Sequence, residues 1–170
     1  TAMGIFELEI DGRRVGDRYF APGFTSYKHT LQYCVYDVTE QLKSGGELLF
    51  IVAGGWAVGS FVFTRKNRIT AKRQALLAEV RLWYADGSCE VIATDESWQA
   101  AMGGRYLFAD FYDGETCDGT ADMSMLGWHA ASREKLAIHP IICAEYGAPV
   151  RVQRVMKPVS CTVRGRELIY

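Results

Sequence analysis

The strict alternation Phe6-Glu7-Leu8-Glu9-Ile10, broken at once by Asp11-Gly12 and resumed by Arg13-Arg14-Val15, constrains this chain more than any other feature. A period of two places Phe6, Leu8 and Ile10 on one face of a strand. Asp-Gly tolerates the positive φ of a tight hairpin turn, so the chain is expected to double back on itself there. The same grammar recurs to the other end. Thr30 to Tyr36 reads as a strand with Leu31, Tyr33 and Val35 on one face. Glu47 to Ala53 is apolar enough to be buried on both faces. Leu76 to Tyr84 and Cys89 to Ala93 flank Asp86-Gly87 as a second hairpin, and Trp98, Tyr106 to Tyr112 and Val150 to Val155 each open or form a further strand. Nothing has the 3.6-residue period of a long amphipathic helix.

Short strands at even spacing with turn residues between them predict an all-β chain, an antiparallel two-sheet sandwich of the jelly-roll kind. Between two strands, Asp37-Val38-Thr39-Glu40 has the pattern of a capping box, in which Asp37 accepts a backbone amide and Glu40 reaches back, and Gly45-Gly46 closes that turn. Arg65 to Arg73 is basic and lacks period, the signature of a solvated loop. At 170 residues and 49% hydrophobic content the chain can bury one core of ordinary size. The module is expected over residues 5–157, with the first four residues outside it. Residues 158–170 then form an exit segment and the truncated first strand of a next domain.

Several function classes are disfavoured by composition. Nineteen basic residues against twenty acidic ones make no basic stripe, so nucleic acid is not an expected partner. No apolar run approaches the roughly 20 residues that span a bilayer, and the opening residues do not read as a signal peptide; no membrane partner is expected. Five widely spaced cysteines without a Cys-x-x-Cys, and three scattered histidines, give neither a disulfide framework nor a metal site.

Trp56, flanked by glycines in Gly54-Gly55-Trp56-Ala57-Val58-Gly59, stands out among the aromatics. It can offer its face to a sugar ring or plug the end of the sandwich. Asp17, Arg18 and Tyr27 are loop groups that could line the same end. The best case for catalysis is the acidic stretch Asp110, Asp113, Glu115 and Asp118. Glycoside hydrolysis needs two carboxylates about 5–9.5 Å apart, and alternate strand positions lie roughly 6.6 Å apart. Gly114 between Asp113 and Glu115 favours instead a turn whose carboxylates hold backbone amides, or a contact to a ligand or another domain. No catalytic residue is assigned.

Several segments, in order, resemble the N-terminal domain of bacterial α-L-rhamnosidases. They are Leu8-x-Ile10-Asp11-Gly12-x-Arg14-Val15-Gly16-Asp17, Ala21-Pro22-Gly23-Phe24-Thr25-x-Tyr27, and Gln32-Tyr33-x-x-Tyr36-Asp37-Val38-Thr39-x-x-Leu42. Further on come Thr94-Asp95-x-Ser97-Trp98, Asp110-x-Tyr112-Asp113-Gly114-Glu115, Pro149-Val150-Arg151-Val152 and Lys157-Pro158-Val159-Ser160. The resemblance implies a sandwich of the galactose-binding-domain-like kind, excised from a longer glycoside hydrolase whose own catalytic domain downstream would be its partner. It also implies an accessory role on rhamnose-containing carbohydrate. Asp17, Arg18, Tyr27 and Trp56 are then the candidate sugar contacts, and purely structural packing against the catalytic barrel is the alternative. A bacterial source follows, with the periplasm or cell exterior ranked ahead of the cytoplasm. Related modules sometimes hold calcium, but the Gly54–Gly59 loop offers no side-chain oxygen to a cation that needs six to eight, so no cofactor is expected here.

Overall fold

The hairpin that opens the sequence also opens the first sheet. In this computed structural model, which describes residues 1–42, 46–61, 66–67 and 70–169, the strand Ile5–Ile10 lies between Arg13–Arg14 and Leu48–Ala53, antiparallel to both. Asp11 (φ 49°) and Gly12 (φ 72°) form the turn with two left-handed residues that suits the twist of the strands it joins. Asp11 is locked to the neighbouring strand's entry by exchange with Glu47: the Asp11 amide donates to the Glu47 carbonyl (3.0 Å), and the Glu47 amide donates to the Asp11 carboxylate (2.9 Å). Phe6, Leu8 and Ile10 are buried, as the alternation requires. Leu48–Ala53 is half-buried along its whole length.

Further antiparallel pairs follow the turn signals. Glu79–Trp83 pairs with Cys89–Ala93 around Asp86-Gly87, and Tyr106–Asp110 pairs with Gly114–Cys117 across a bulge near its start. Arg18–Tyr19 pairs with Val150–Arg151, Gln99–Ala100 with His129–Ala130, and Thr162–Arg164 with Glu167–Ile169. The helical content is a short turn at Gly55–Val58 and a 3₁₀ turn at Met123–Met125. No helix of the described residues is long and apolar enough to cross a membrane. The architecture is an all-β sandwich in which antiparallel pairing prevails.

The structure corrects the sequence reading in several places. Thr30–Tyr33 pairs with Ile141–Ala144 in parallel, because the two segments are brought together by a long connection and not by a hairpin. That strand ends at Tyr33, and its expected common face breaks up: Leu31 is buried whereas Val35 is 73% exposed. The run from Leu76 to Tyr84 divides into Ala75–Leu76 and Glu79–Trp83, with Trp83 71% exposed on the sheet face. Ala2 and Met3, placed outside the module by the sequence reading, pair with Ala75–Leu76 and are among the most buried residues. Asp37 heads a single turn and no longer helix: its carboxylate accepts both the amide (3.0 Å) and the hydroxyl (2.7 Å) of Thr39, and the Leu42 amide closes the turn on the Val38 carbonyl (2.8 Å). Gly45 lies outside the described residues, as do 65, 68 and 69 of the basic stretch 65–73. Within that stretch, 66–67 pairs with 60–61 as a strand.

The Asp37–Thr39 device is repeated. Asp86–Ser88, Asp95–Ser97, Asp118–Thr120 and Asp122–Ser124 each pair a carboxylate oxygen with the amide and hydroxyl of the second residue on, at 2.6–2.9 Å. Such turns satisfy backbone amides that the sheets leave unpaired. In all five, the Ser or Thr hydroxyl and then the amide hold the aspartate below its ordinary range. A carboxyl depressed in the folded state stabilises it above the unfolded value near 3.9, and this contribution vanishes as pH falls through the lower folded value. Unfolding midpoints in urea are therefore expected to be level from pH 7 to about 5 and to drop below about pH 4. Asp86→Asn and Asp118→Asn together should flatten the drop. An unchanged acid limb in that double variant would refute the assignment.

Candidate carbohydrate-facing end

Trp56 owes its position to three glycines and one carboxylate. The chain leaves Leu48–Ala53 and turns through Gly54 and Gly55, and Gly55 takes φ +51°. A Cβ at Gly55 would stand 2.7 Å from Ile5 Cγ2 and 2.9 Å from the Ile5 nitrogen, so the turn sits directly against the first sheet. One helical turn follows, closed by the Val58 amide on the Gly54 carbonyl (3.1 Å) and the Gly59 amide on the Gly55 carbonyl (2.8 Å). This turn buries Ala57 completely among Met3, Tyr27 and Leu31, with the Trp56 side chain packed on the rim of that cluster.

Asp110 ties the far side of the turn. Its carboxylate accepts the Ser60 amide (2.7 Å), the Ser60 hydroxyl (2.6 Å) and the Tyr112 amide (3.0 Å). Burial pushes this carboxyl up, but the Ser60 hydroxyl and amide and the amides of Tyr112 and Asp113 outweigh it and hold Asp110 below the ordinary carboxylate range. Asp110 is thus a charged strut that joins the Trp56 turn to the hairpin tip at 110–114. Phe111, at that tip, brings its ring to 4.3 Å from Trp56. Phe20 closes the group edge-on to Phe111 at 4.9 Å and lies 6.3 Å from Trp56.

The opposite side of Trp56 is made by the loop after Ala21. The Gly23 amide donates to the Phe20 carbonyl (2.8 Å), and the buried Tyr27 hydroxyl donates to the Gly23 carbonyl (3.0 Å). Burial pushes the Tyr27 phenol up, so it stays neutral. The Thr25 hydroxyl is spent on the Thr30 carbonyl at 2.5 Å. Phe24 remains 56% exposed, with its ring 5.9 Å from both Trp56 and Tyr27. Between Phe24, Tyr27 and Trp56 lies a crevice of about 190 Å³, with Ser26, Lys28 and Thr70 also in its lining. Pockets that enclose drug-sized ligands run from roughly 300 to 1,000 Å³, so this one can seat a single small ring.

The structure therefore brings Tyr27 and Trp56 together and separates them from the other candidates. Asp17 pairs with Arg151 at 2.9 Å, and Arg18 pairs with Glu145 while its guanidinium lies 5.2 Å over the Tyr36 ring. The hydrogen bond to Glu145 holds the Arg18 guanidinium above its ordinary value. Both residues fasten the short strand Arg18–Tyr19 to the segment 145–151; they do not line the crevice. Asp113 sits in the hairpin turn and Glu115 on an exposed strand, opposite Ala109. Only Asp110 of the acidic group reaches the Trp56 end, and it does so as a support. Phe20 and Phe111 were missed by the sequence reading. Their positions flanking two loop turns, each one residue from another aromatic, are the available signal.

Comparison with known proteins converges on one family. Residues 1–163 match the family model described as the α-L-rhamnosidase N-terminal domain. An α-L-rhamnosidase of Streptomyces avermitilis is 35% identical over an alignment of 165 positions, which covers 91% of this chain and 16% of that protein. One from Formosa agariphila is 32% identical over 124 residues, 72% of this chain and 13% of that protein. The crystal structure of the Streptomyces avermitilis enzyme complexed with L-rhamnose superposes with a TM-score of 0.80 at 34% identity, covering 91% of this chain and 16% of the other. Native α-L-rhamnosidase from Aspergillus terreus gives 0.77 at 29% identity, covering 95% and 20%. The chain spans about a sixth of the first of these relatives. By sequence over nearly its whole length and by fold, the chain belongs to the family of α-L-rhamnosidase N-terminal domains.

Proposed function

We propose that this chain is a non-catalytic accessory module of an α-L-rhamnosidase, working in the periplasm or outside the cell, whose Trp56 end meets rhamnose-containing carbohydrate. The observation that carries this reading is the crevice walled by Phe24, Tyr27 and Trp56. A sugar ring has apolar C–H faces that rest on aromatic faces, and its hydroxyls need donors and acceptors at the rim. Ser26 and Thr70 supply such groups. The Streptomyces avermitilis relative was crystallised with L-rhamnose, which makes that sugar the first ligand to test. Against catalysis stands the use of the Asp110 carboxylate as a hydrogen-bonded support for the Trp56 turn.

Calorimetric titration with L-rhamnose and rhamnosyl oligosaccharides is expected to show binding in the millimolar range. Trp56→Ala should weaken it about tenfold, equivalent to about 1.4 kcal/mol. A flat trace at millimolar sugar would remove carbohydrate recognition. The alternative, a domain that only packs against the catalytic barrel, is favoured by a different observation: Trp83 and Leu107, on strands of two hairpins, are 71% and 60% exposed. A contiguous apolar patch of more than a few hundred Å² would mark a surface covered by another body. The remote reading, hydrolysis by Asp113 and Glu115, requires rhamnoside turnover that falls on Asp113→Ala or Glu115→Ala.

A further inference from the structure

We propose that the crevice beside Trp56 selects a sugar ring that bears a carboxylate, with Lys28 as the specificity-determining residue. This rests on the reading of the Trp56 end as a carbohydrate surface and adds to it a class of ligand. Among the described residues, Lys28 is the one charged side chain in the lining, and no acidic residue shares it. Its ammonium makes no ion pair with any described residue, and the residue is exposed.

The other polar groups of the crevice narrow the choice. The Thr25 hydroxyl donates to the Thr30 carbonyl and the Tyr27 hydroxyl to the Gly23 carbonyl, so both of these protons are turned to the protein. Ser26 and Thr70 contribute neutral hydroxyls at the rim. An ammonium has three donors and no acceptor, so what sits against it must accept, and a charged acceptor makes roughly twice as strong a bond as a neutral one. A uronate ring meets both demands, placing a C–H face on Trp56 and a carboxylate toward Lys28. The formal net charge of the chain is −1, so the chain as a whole does not draw in an anion.

The test is calorimetric titration of the chain with methyl β-D-glucuronide and with methyl β-D-glucoside, at low salt and at 200 mM NaCl. The uronide is expected to bind about fivefold more tightly at low salt, the size of an exposed charge pair. The margin should narrow as screening shortens to less than about 8 Å. Lys28→Gln should erase the margin between the two glycosides, and Lys28→Arg should keep most of it. Equal affinity for the two glycosides overturns the role of Lys28 while leaving the Trp56 surface standing. A uronide margin that survives Lys28→Gln also overturns it. Failure of both glycosides and of L-rhamnose to bind overturns the carbohydrate surface itself, and this proposal with it.

Discussion

Replacing Arg105 with alanine is expected to cost about 3 kcal/mol of folding stability, the low end of what breaking a buried ion pair costs. Arg105 pairs with Glu9, which sits on the middle strand of the first sheet and is only 6% exposed. Alanine at 105 would leave the Glu9 carboxylate buried with its cation gone, and a charge so stranded costs far more than a lost surface pair. The arginine itself is partly exposed and its guanidinium lies 5.3 Å over the Tyr106 ring, so part of its charge is met by water and by the ring face. Glu9→Gln should for that reason be the milder change, at about 1 kcal/mol. Glu9→Leu combined with Arg105→Met, which removes both charges at similar volume, should recover most of the loss. Urea unfolding of the four proteins decides the matter. An Arg105→Ala protein within 1 kcal/mol of the parent would show that Glu9 reaches water without its partner.

Glu9 also shows where the sequence stops informing. Phe6-Glu7-Leu8-Glu9-Ile10 announces a strand and its apolar face, and both are found. The same alternation consigns Glu7 and Glu9 to solvent. Glu7 is half-buried against Arg14 at 3.0 Å, a diagonal contact across the hairpin, since the register sets Arg14 opposite Glu9. Glu9 is covered by Arg105, far along the chain, and periodicity within a strand carries no information about which distant segment lies over it. The parallel pairing of Thr30–Tyr33 with Ile141–Ala144 escaped notice for the same reason.

The candidate site divides along the same line. A glycine-flanked Trp56 is conspicuous in sequence because few structural roles need so large a ring between residues with no side chain. Tyr27 stands in the Ala21–Tyr27 segment that carries part of the family resemblance, and the structure sets it beside Trp56. The link between Trp56 and Asp110 was not legible, since it joins a turn to a hairpin 50 residues away through two short hydrogen bonds. Asp17 and Arg18 were misplaced because a charged pair on a loop looks alike whether it faces a ligand or fastens a short strand. The five Asp-x-Ser/Thr turns, by contrast, are local, and their spacing of two residues could have been read directly.

Gly59→Ala is expected to cost about 3 kcal/mol and to dismantle the Trp56 surface as well. Gly59 has φ −71° and ψ −164°, extended backbone that alanine adopts freely, so the cost is not one of conformation. It is one of space. A Cβ there would fall well inside contact distance of the Asp110 carboxylate oxygen and of the Gly55 carbonyl oxygen. Neither can step aside cheaply: the Gly55 carbonyl accepts the Gly59 amide at 2.8 Å, and Asp110 is pinned by Ser60 and Tyr112. Relief comes by breaking the bonds to Ser60, and a buried charge-assisted bond is worth about 1.5–3 kcal/mol. Once Asp110 lets go, the hairpin tip carrying Phe111 is no longer tied to the turn carrying Trp56, and the ring contact at 4.3 Å goes with it. Asp110→Ala alone should cost about 2 kcal/mol by losing the same bonds. Because both changes remove one connection, their effects should overlap, and the double variant should fall short of the sum by at least about 1 kcal/mol. Strict additivity in that cycle would mean that the two residues act separately, and the coupling of the Trp56 turn to the 110–114 hairpin would have to be abandoned.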